Sequence, residues 1–315
     1  MNDILLFTGG SGGAKLSAGL QNVLPNSNLH IIVNTADDFN YLGLNISPDI
    51  DSVIYSLAGC IDQNKGWGVK EEDWSTYKEL KKFDFDNWFS LGNKDIATHL
   101  FRNELLFRGF SLEQVSKFMC ESFRVGANVI PMTNDKVSTH VYTQDGLLAF
   151  QEYFVKYRCV PIVKEIIFKG IEKARVSESF GKLLKRGSRI IIGPSNPYLS
   201  IDPILSLPGV REAIRENDIP TILISPIVQG DSIKGPLTKI MTEMKLDRSV
   251  YEIAKYYSDI IRGVVIHESD FEEEEKLKEV NMPCFSTNII MKNDADKVAL
   301  ASNVLNYLEL LSNRC

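Results

Sequence analysis

The stretch "LLFTGGSGGAKLSAGL", residues 5 to 20, constrains the fold of this chain more than any other. The apolar run Ile4 to Phe7 predicts a buried strand. Leu16, Leu20, Val23 and Leu24 then recur at helical spacing until Pro25 stops them. Between the two lie Gly9, Gly10, Gly12 and Gly13. Strand, glycine loop and helix aim backbone N–H groups and a helix N-terminus at an anion. Two known phosphate loops do not fit. A Walker A loop ends in Gly-Lys-Ser/Thr, whereas this chain has Ala14-Lys15-Leu16 and lacks the metal-binding hydroxyl. The dinucleotide fingerprint, counted from Gly10 and Gly12, places Lys15 where a small residue should let helix and strand pack. A tight turn that needs only glycine's freedom is the plain alternative.

Further strands are predicted at Leu29 to Val33, Ile162 to Phe168, "RIIIG" (189–193) and "TILIS" (221–225), with outer strands at Val264 to Ile266 and Cys284 to Phe285. A helix is expected from Pro48, capped by Ser47, with Ile50, Val53, Ile54 and Leu57 on one face. Residues 71 to 125 read as mostly helical, and Ser111 with Gln114 fits a capping box. "STHVYT" and "LLAFQEYFV" flank Gln144-Asp145-Gly146, a hairpin signal. "EEEEKLKE" reads as the solvated face of a helix, and a last helix should run from Asp294, its cap, to Leu311. The expected fold is α/β: a Rossmann-like, doubly wound, mostly parallel sheet. Residues 1–70 and 185–315 would form the core and residues 71–184 a helical and β-hairpin insertion.

At 315 residues the chain can bury a substantial core, and its 44% hydrophobic and 24% charged residues are ordinary for a globular protein. A net charge of −6 argues against general nucleic-acid binding. The five cysteines, Cys60, Cys120, Cys159, Cys284 and Cys315, include no C-x-x-C pair, and reduced thiols in a cytoplasm account for them. The four histidines are dispersed and read as structural. No cationic leader opens the chain and no apolar run approaches membrane length, so a membrane partner is not expected.

The loops at the expected strand ends are Gly9 to Lys15, Asn34 to Phe39, Gly193 to Pro197 and Ser225 to Pro236. They contain backbone donors, Lys15, Lys234 and the adjacent carboxylates Asp37 and Asp38, but no Ser–His or Cys–His nucleophile set. Phosphoryl chemistry asks for little more: anion donors, a hard cation and in-line placement of a hydroxyl. Asp37 and Asp38 have the oxygen chemistry for Mg²⁺; a loop with an Asx turn or helix cap accounts for them equally well.

The segments "GGSGGAKLSAGL", "VNTADDF", "GLNISPDIDSVIYSLAG", "GWGV", "WFSLGNKDIATHLFR", "IPMTNDKVSTHV", "FQEYFV", "GPSNPYLSIDPILSLPGVREAI" and "SPIVQGDSIKGPLTKIM" occur in that order along nearly the whole chain. In them the sequence resembles the 2-phospho-L-lactate transferase (CofD-like) family of coenzyme F420 biosynthesis. The resemblance implies transfer of a phospholactyl or phosphoenolpyruvyl group from a guanosine-diphosphate-linked donor to the deazaflavin alcohol Fo. GMP would be released, with Mg²⁺ as cofactor and a homodimer as the assembly. With that donor, the strand-end loops assign Gly10, Ser11, Gly12, Gly13 and Lys15 to the diphosphate, Ser195, Asn196 and Lys234 to further donor contacts, and Asp37 and Asp38 to Mg²⁺ or its water shell. The resemblance places Asp49 and Lys94 at the acceptor, with Asp49 as the candidate base. On its own, Asp49 reads as a carboxylate favoured by a helix N-terminus, and Lys94 as a surface charge. There are four departures from the family pattern: Ala36 and Gln229 replace glycines, Asn93 replaces an aspartate, and Glu72-Asp73-Trp74 replaces the usual "GDT-W". The rival reading is a non-catalytic regulatory protein of the same superfamily that binds nucleotide sugars; "TADD" leans toward it, and "ISPDID" and "NKDIATH" lean against it.

Overall fold

A computed structural model describes residues 3–84 and 86–312. Among the described residues fourteen strands follow one another: β1 (Ile4–Thr8), β2 (Leu29–Val33), β3 (Phe39–Tyr41), β4 (Leu44–Ile46), β5 (Asn128–Pro131), β6 (Ser138–Thr143), β7 (Gly146–Ala149), β8 (Val163–Lys169), β9 (Arg189–Ile192), β10 (Thr221–Ile224), β11 (Ile227–Val228), β12 (Asp231–Ser232), β13 (Gly263–His267) and β14 (Cys284–Thr287). Seven of them form one sheet in the order β14-β13-β10-β9-β1-β2-β5, and every neighbouring pair is parallel. Strands covered on both faces must be apolar throughout, which is why the strong sequence signals are uninterrupted runs. Leu5 and Phe7 join one core and Ile4 and Leu6 the other. The chain leaves β1 toward β2 on one side and returns to β9 on the other. The order therefore reverses between β1 and β9, where an open α/β sheet offers a crevice at its carboxyl ends.

On one face, helices α1 (Gly10–Val23) and α2 (Pro48–Leu57) pack together, and α1 also meets the C-terminal helix Asp294–Ser312. Three more helices follow: α3 (Ser75–Leu80), α4 (Asn93–Phe107) and α5 (Leu112–Ser122). Residues 81–84 and 86–92 lie outside any helix, so 71 to 125 is helical only in pieces. Ser111 and Gln114 make the expected capping box. The hairpin around Gln144 and Asp145 forms, with Thr143 opposite Gly146, and β8 completes an antiparallel sheet β7-β6-β8. Its second arm ends at Ala149, because "EYFVK" winds into a helical turn, Glu152–Lys156, that buries Tyr153. The edge strand β5 comes from within residues 71–184 and pairs with β2, so part of that segment belongs to the main sheet.

Two caps differ from expectation. Ser47 precedes α2, but its hydroxyl donates to Asp38 Oδ2 (2.7 Å) and caps nothing. Asp294 lies inside the last helix. Asn293 performs the capping: its Oδ1 accepts from Asp296 N (3.0 Å) while Asp296 Oδ2 accepts from Asn293 N (3.2 Å). Cys60, Cys120, Cys159 and Cys284 are free thiols, and Cys315 lies outside the described residues. Among the described residues no helix is long and apolar enough to cross a membrane.

The departure at Gln229 has a backbone consequence. Gln229 sits at φ 51 beside Gly230 (φ 73) in the β11–β12 turn, a left-handed conformation that suits glycine. Its N–H donates to Asp270 Oδ1 (2.6 Å), a bond that any residue there except proline keeps. Gln229→Gly is expected to stabilise the protein by about 1 kcal/mol in urea denaturation. An unchanged or lower stability would show that the turn carries no strain. Ala36, by contrast, does not occupy the left-handed region and is buried without strain.

Candidate functional site

The crevice at the carboxyl ends of β1, β2, β9 and β10 brings the four sequence-marked loops together. The glycine loop becomes the first turn of α1. A Cβ on Gly12 would collide with Pro194 O, and one on Gly13 with Thr8 Oγ1, so these glycines let the helix seat against β1 and the β9 loop. Ser195 fastens the same seam: its hydroxyl donates to Gly9 O (2.8 Å) and accepts from Gly9 N (3.4 Å). Gly10 N donates to Asp49 Oδ1 (2.6 Å). With Gly9 and Gly10 engaged, the N–H groups of Ser11 and Gly12 remain the first-turn donors without an intrahelical acceptor. Asn196 accepts from Tyr198 N (3.0 Å) and Leu199 N (3.2 Å), while its Nδ2 is buried without a partner.

Lys15 and Lys234 reach the crevice from α1 and from the loop after β10. Lys15 Nζ donates to Met291 O (2.9 Å) and Lys234 Nζ to Lys65 O (3.0 Å). Burial lowers the pKa of both. Lys297 lowers Lys15 further, and the charge of Lys15 lowers Lys234 further. Two ammonium groups that repel each other beside a helix N-terminus form a place for a multiply charged anion.

The opposite character gathers around Asp37, Asp38 and Asp49. Asp49 is buried at the start of α2, and its Oδ2 accepts from Asn34 Nδ2 (3.1 Å). Burial pushes its pKa up to about 6, against the pull of Gly10 N–H and Asn34. Asp37 is only 5% exposed, and burial and then the charge of Asp49 push its pKa well up. Asp38 is pushed well up by burial too, against the hydrogen bond from Ser47. Asp37 Oδ1 and Asp38 Oδ1 are both buried without a hydrogen-bond partner. Orphaned carboxylate oxygens beside an anion site fit a hard divalent cation such as Mg²⁺, which needs only one or two protein carboxylates.

Behind this pair lies a network that the sequence reading missed. Arg102 of α4 is fully buried and pairs with Asp51 of α2. It also donates to Asn45 O (3.1 Å) and meets His99 Nδ1 (3.1 Å). His99 Nε2 faces Asp95 Oδ2 (3.5 Å), and Asp95 Oδ1 accepts from Tyr55 (2.8 Å). Among the described residues, Asp51, Asp95 and His99 form the one three-ligand cluster close enough to suggest a metal. However, the two carboxylates flank opposite ring nitrogens, and the Arg102 guanidinium already sits at Nδ1. That arrangement is a set of ion pairs around Arg102 and His99, in which Asp51 Oδ2 and His99 Nε2 are buried without a hydrogen bond. The spacing 95, 99, 102 on one helix face was the available signal.

Lys94 stands in the first turn of α4, and its Nζ donates to Lys70 O (2.9 Å) and Glu71 O (2.7 Å). Glu72 covers the end of that helix, accepting from Lys94 N (2.7 Å) and Asp95 N (3.2 Å). Asn93 donates to Asp73 Oδ2 (2.9 Å) and Ser75 Oγ (2.8 Å), which an aspartate could not do. The departures at Asn93 and Asp73 thus meet in one hydrogen bond.

Similarity to known proteins extends over nearly the whole chain. The family described as 2-phospho-L-lactate transferase CofD matches residues 4–305. The chain is 37% identical over 308 residues to a 2-phospho-L-lactate transferase of Methanocaldococcus jannaschii, covering 96% of this chain and 97% of that one. It is 36% identical over 290 residues to a protein of the same name from Methanococcoides burtonii (92% and 94% covered). A phosphoenolpyruvate transferase of Streptomyces griseus is 32% identical over 312 residues (97% and 98% covered). Among solved structures, a UPF0052-family protein of Bacillus halodurans, BH3568, shares the fold at TM-score 0.65 and 17% identity, covering 97% of this chain and 100% of that one. With the match running through the glycine loop, the carboxylate loops and α4 alike, the chain belongs to the CofD family of transferases.

Proposed function

We propose that the protein transfers a phospholactyl or phosphoenolpyruvyl group from a guanosine-diphosphate-linked donor to the hydroxyl of Fo, releasing GMP. The observation that carries this reading is the juxtaposition, at one crevice, of two mutually repelling lysines with a set of buried, partly unpartnered carboxylates. The first half suits a diphosphate and the second an attacking hydroxyl and a cation. Relatives named for either three-carbon acid, at 37% and 32% identity, support the donor class.

In this mechanism Lys15, Lys234 and the N–H groups of Ser11 and Gly12 hold the diphosphate, and Asn196 Nδ2 offers a further donor. Gly10, Gly13 and Ser195 keep that turn in place. The Fo hydroxyl attacks the phosphorus that bears the three-carbon acid. The bond from that phosphorus to the bridging oxygen breaks, and GMP leaves with the oxygen. Asp49, whose pKa of about 6 suits proton transfer near neutrality, takes the hydroxyl proton. Asp37 and Asp38 would hold Mg²⁺, which supplies charge neutralisation at the phosphoryl oxygens when bound. Lys94 acts at the acceptor side. The protein works in the cytoplasm as a homodimer.

Calorimetric titration tests the reading. GMP and Fo should each bind, and saturation with one should leave a site for the other. Mutual exclusion, or no binding of Fo, would contradict it.

A further inference from the structure

Residues 61–69 form a closed loop tied off by the bridge between Ile61 and Val69. Asp62 organises its interior. The carboxylate accepts from Asn64 N (3.0 Å) and Lys65 N (3.1 Å), its carbonyl accepts from Gly66 N (2.7 Å), and its own N–H donates to Gly68 O (3.0 Å). At the tip, Trp67 stands between Gly66 (φ 73) and Gly68 (φ 70), two left-handed residues around one side chain. Such a backbone is built around glycine, and its product is a tryptophan left 45% exposed.

The loop is not a free flap. Lys234 grips it through Lys65 O, and Lys94 grips the following segment through Lys70 O and Glu71 O. A Cβ on Gly66 would meet Lys234 Nζ and lie 4.0 Å from Ser11 Cβ, so the tip rests against the first turn of α1. Two of the three lysines that the sequence marked for substrate, Lys94 and Lys234, therefore hold this one strap against the crevice. Lys65 places its ammonium over Trp67 (5.5 Å to the ring centre) and Trp74 (4.6 Å), and the two indoles meet edge-on at 6.5 Å. Trp74 continues to Tyr77 at 6.2 Å, which backs the assembly. A half-exposed aromatic, braced by a second ring and fixed on a rigid loop, is the arrangement that stacks a planar ring.

We infer that Trp67 is a substrate-binding residue whose face stacks the planar heteroaromatic ring of one of the two ring-bearing substrates. Lys94 and Lys234 hold its strap in place. This rests on the proposed function, in which the donor carries guanine and the acceptor a deazaflavin; both are flat, polarisable rings, and the strap borders the crevice that both must enter.

The test is equilibrium titration of Trp67→Ala and Trp67→Phe with GMP and with Fo separately, alongside thermal melts. Stacking of one ring contributes on the order of 1–3 kcal/mol, so Trp67→Ala should lose about 10- to 100-fold in affinity for one ligand. The other ligand should stay within about twofold, and Trp67→Phe should recover much of the loss. Both variants should melt near wild type, because the side chain is nearly half exposed. Loss confined to Fo assigns the deazaflavin, and loss confined to GMP assigns the guanine. Unchanged affinity for both ligands overturns the inference while leaving the proposed function standing. Equal loss for both also overturns it, since that outcome reports a displaced strap. Wild-type protein that binds neither ligand overturns both readings.

Discussion

Asp37→Asn is expected to melt at a higher temperature than wild type in chelator at pH 7, and to lose transfer activity by about 100-fold or more. The two effects share a cause. Asp37 is nearly inaccessible, and burial and then the charge of Asp49 push its pKa well above the usual carboxylate value. A carboxylate whose folded pKa is raised binds protons more tightly folded than unfolded. Its contribution is fully present below the ordinary value of 3.8 and is lost as pH rises through the folded value, which for Asp49 is about 6. At neutral pH, without a cation, the cluster is therefore less stabilising than in acid, and an amide at position 37 removes a group that resists ionisation in the fold while keeping the reach of Asn34 and Thr139. Wild type in chelator should lose stability as pH rises from about 4, with the share that comes from Asp49 lost by about pH 6. Added Mg²⁺ should raise the melting temperature of wild type more than that of the variant. Melts over pH and Mg²⁺ concentration, with turnover measured in parallel, check all of this. A variant less stable than wild type in chelator, or one that keeps full activity and the same Mg²⁺ response, would contradict the assignment of Asp37.

Arg102→Met should destabilise the fold by about 3–5 kcal/mol. Arg102 is wholly enclosed, and its guanidinium is the counter-ion of buried Asp51 and draws down the pKa of Asp38. Removing it leaves Asp51 without its guanidinium partner in a place where water cannot replace one. The double variant Arg102→Met with Asp51→Asn should recover a large part of the loss, because the orphaned charge goes with its partner. Urea denaturation of both singles and the double gives the interaction directly. A single-variant cost below about 1 kcal/mol, or strictly additive losses, would mean the pair is not what holds α2 to α4.

Much of the sheet was legible because the strands at Ile4, Leu29, Arg189 and Thr221 are apolar on both faces and bounded by glycine, proline or polar loops. The β3–β4 hairpin was not: it turns at Leu42 (φ 53) and Gly43 (φ 75), and leucine in a left-handed turn carries no sequence signal. Of the candidate site, the loops that converge could be read from the strand ends, whereas their bonding could not. Lys94 and Lys234 donate to main-chain carbonyls, which leave no trace in side-chain type. His99 read only as structural and Arg102 drew no reading, because their partner Asp51 lies 51 residues from Arg102. The residue Asn93 read as a lost carboxylate, and only the structure shows that its amide donates to Asp73.

Transfer of the phospho-acid to Fo is tested most directly by mass spectrometry of the products. The protein is incubated with Fo, Mg²⁺ and, in separate reactions, guanosine-diphosphate-linked phospholactate and phosphoenolpyruvate. With at least one donor, Fo should gain the mass of the phosphorylated three-carbon acid while GMP appears in equal amount. Fo recovered unchanged with both donors, or a guanylylated Fo in place of the phospho-acid adduct, would contradict the proposed transfer.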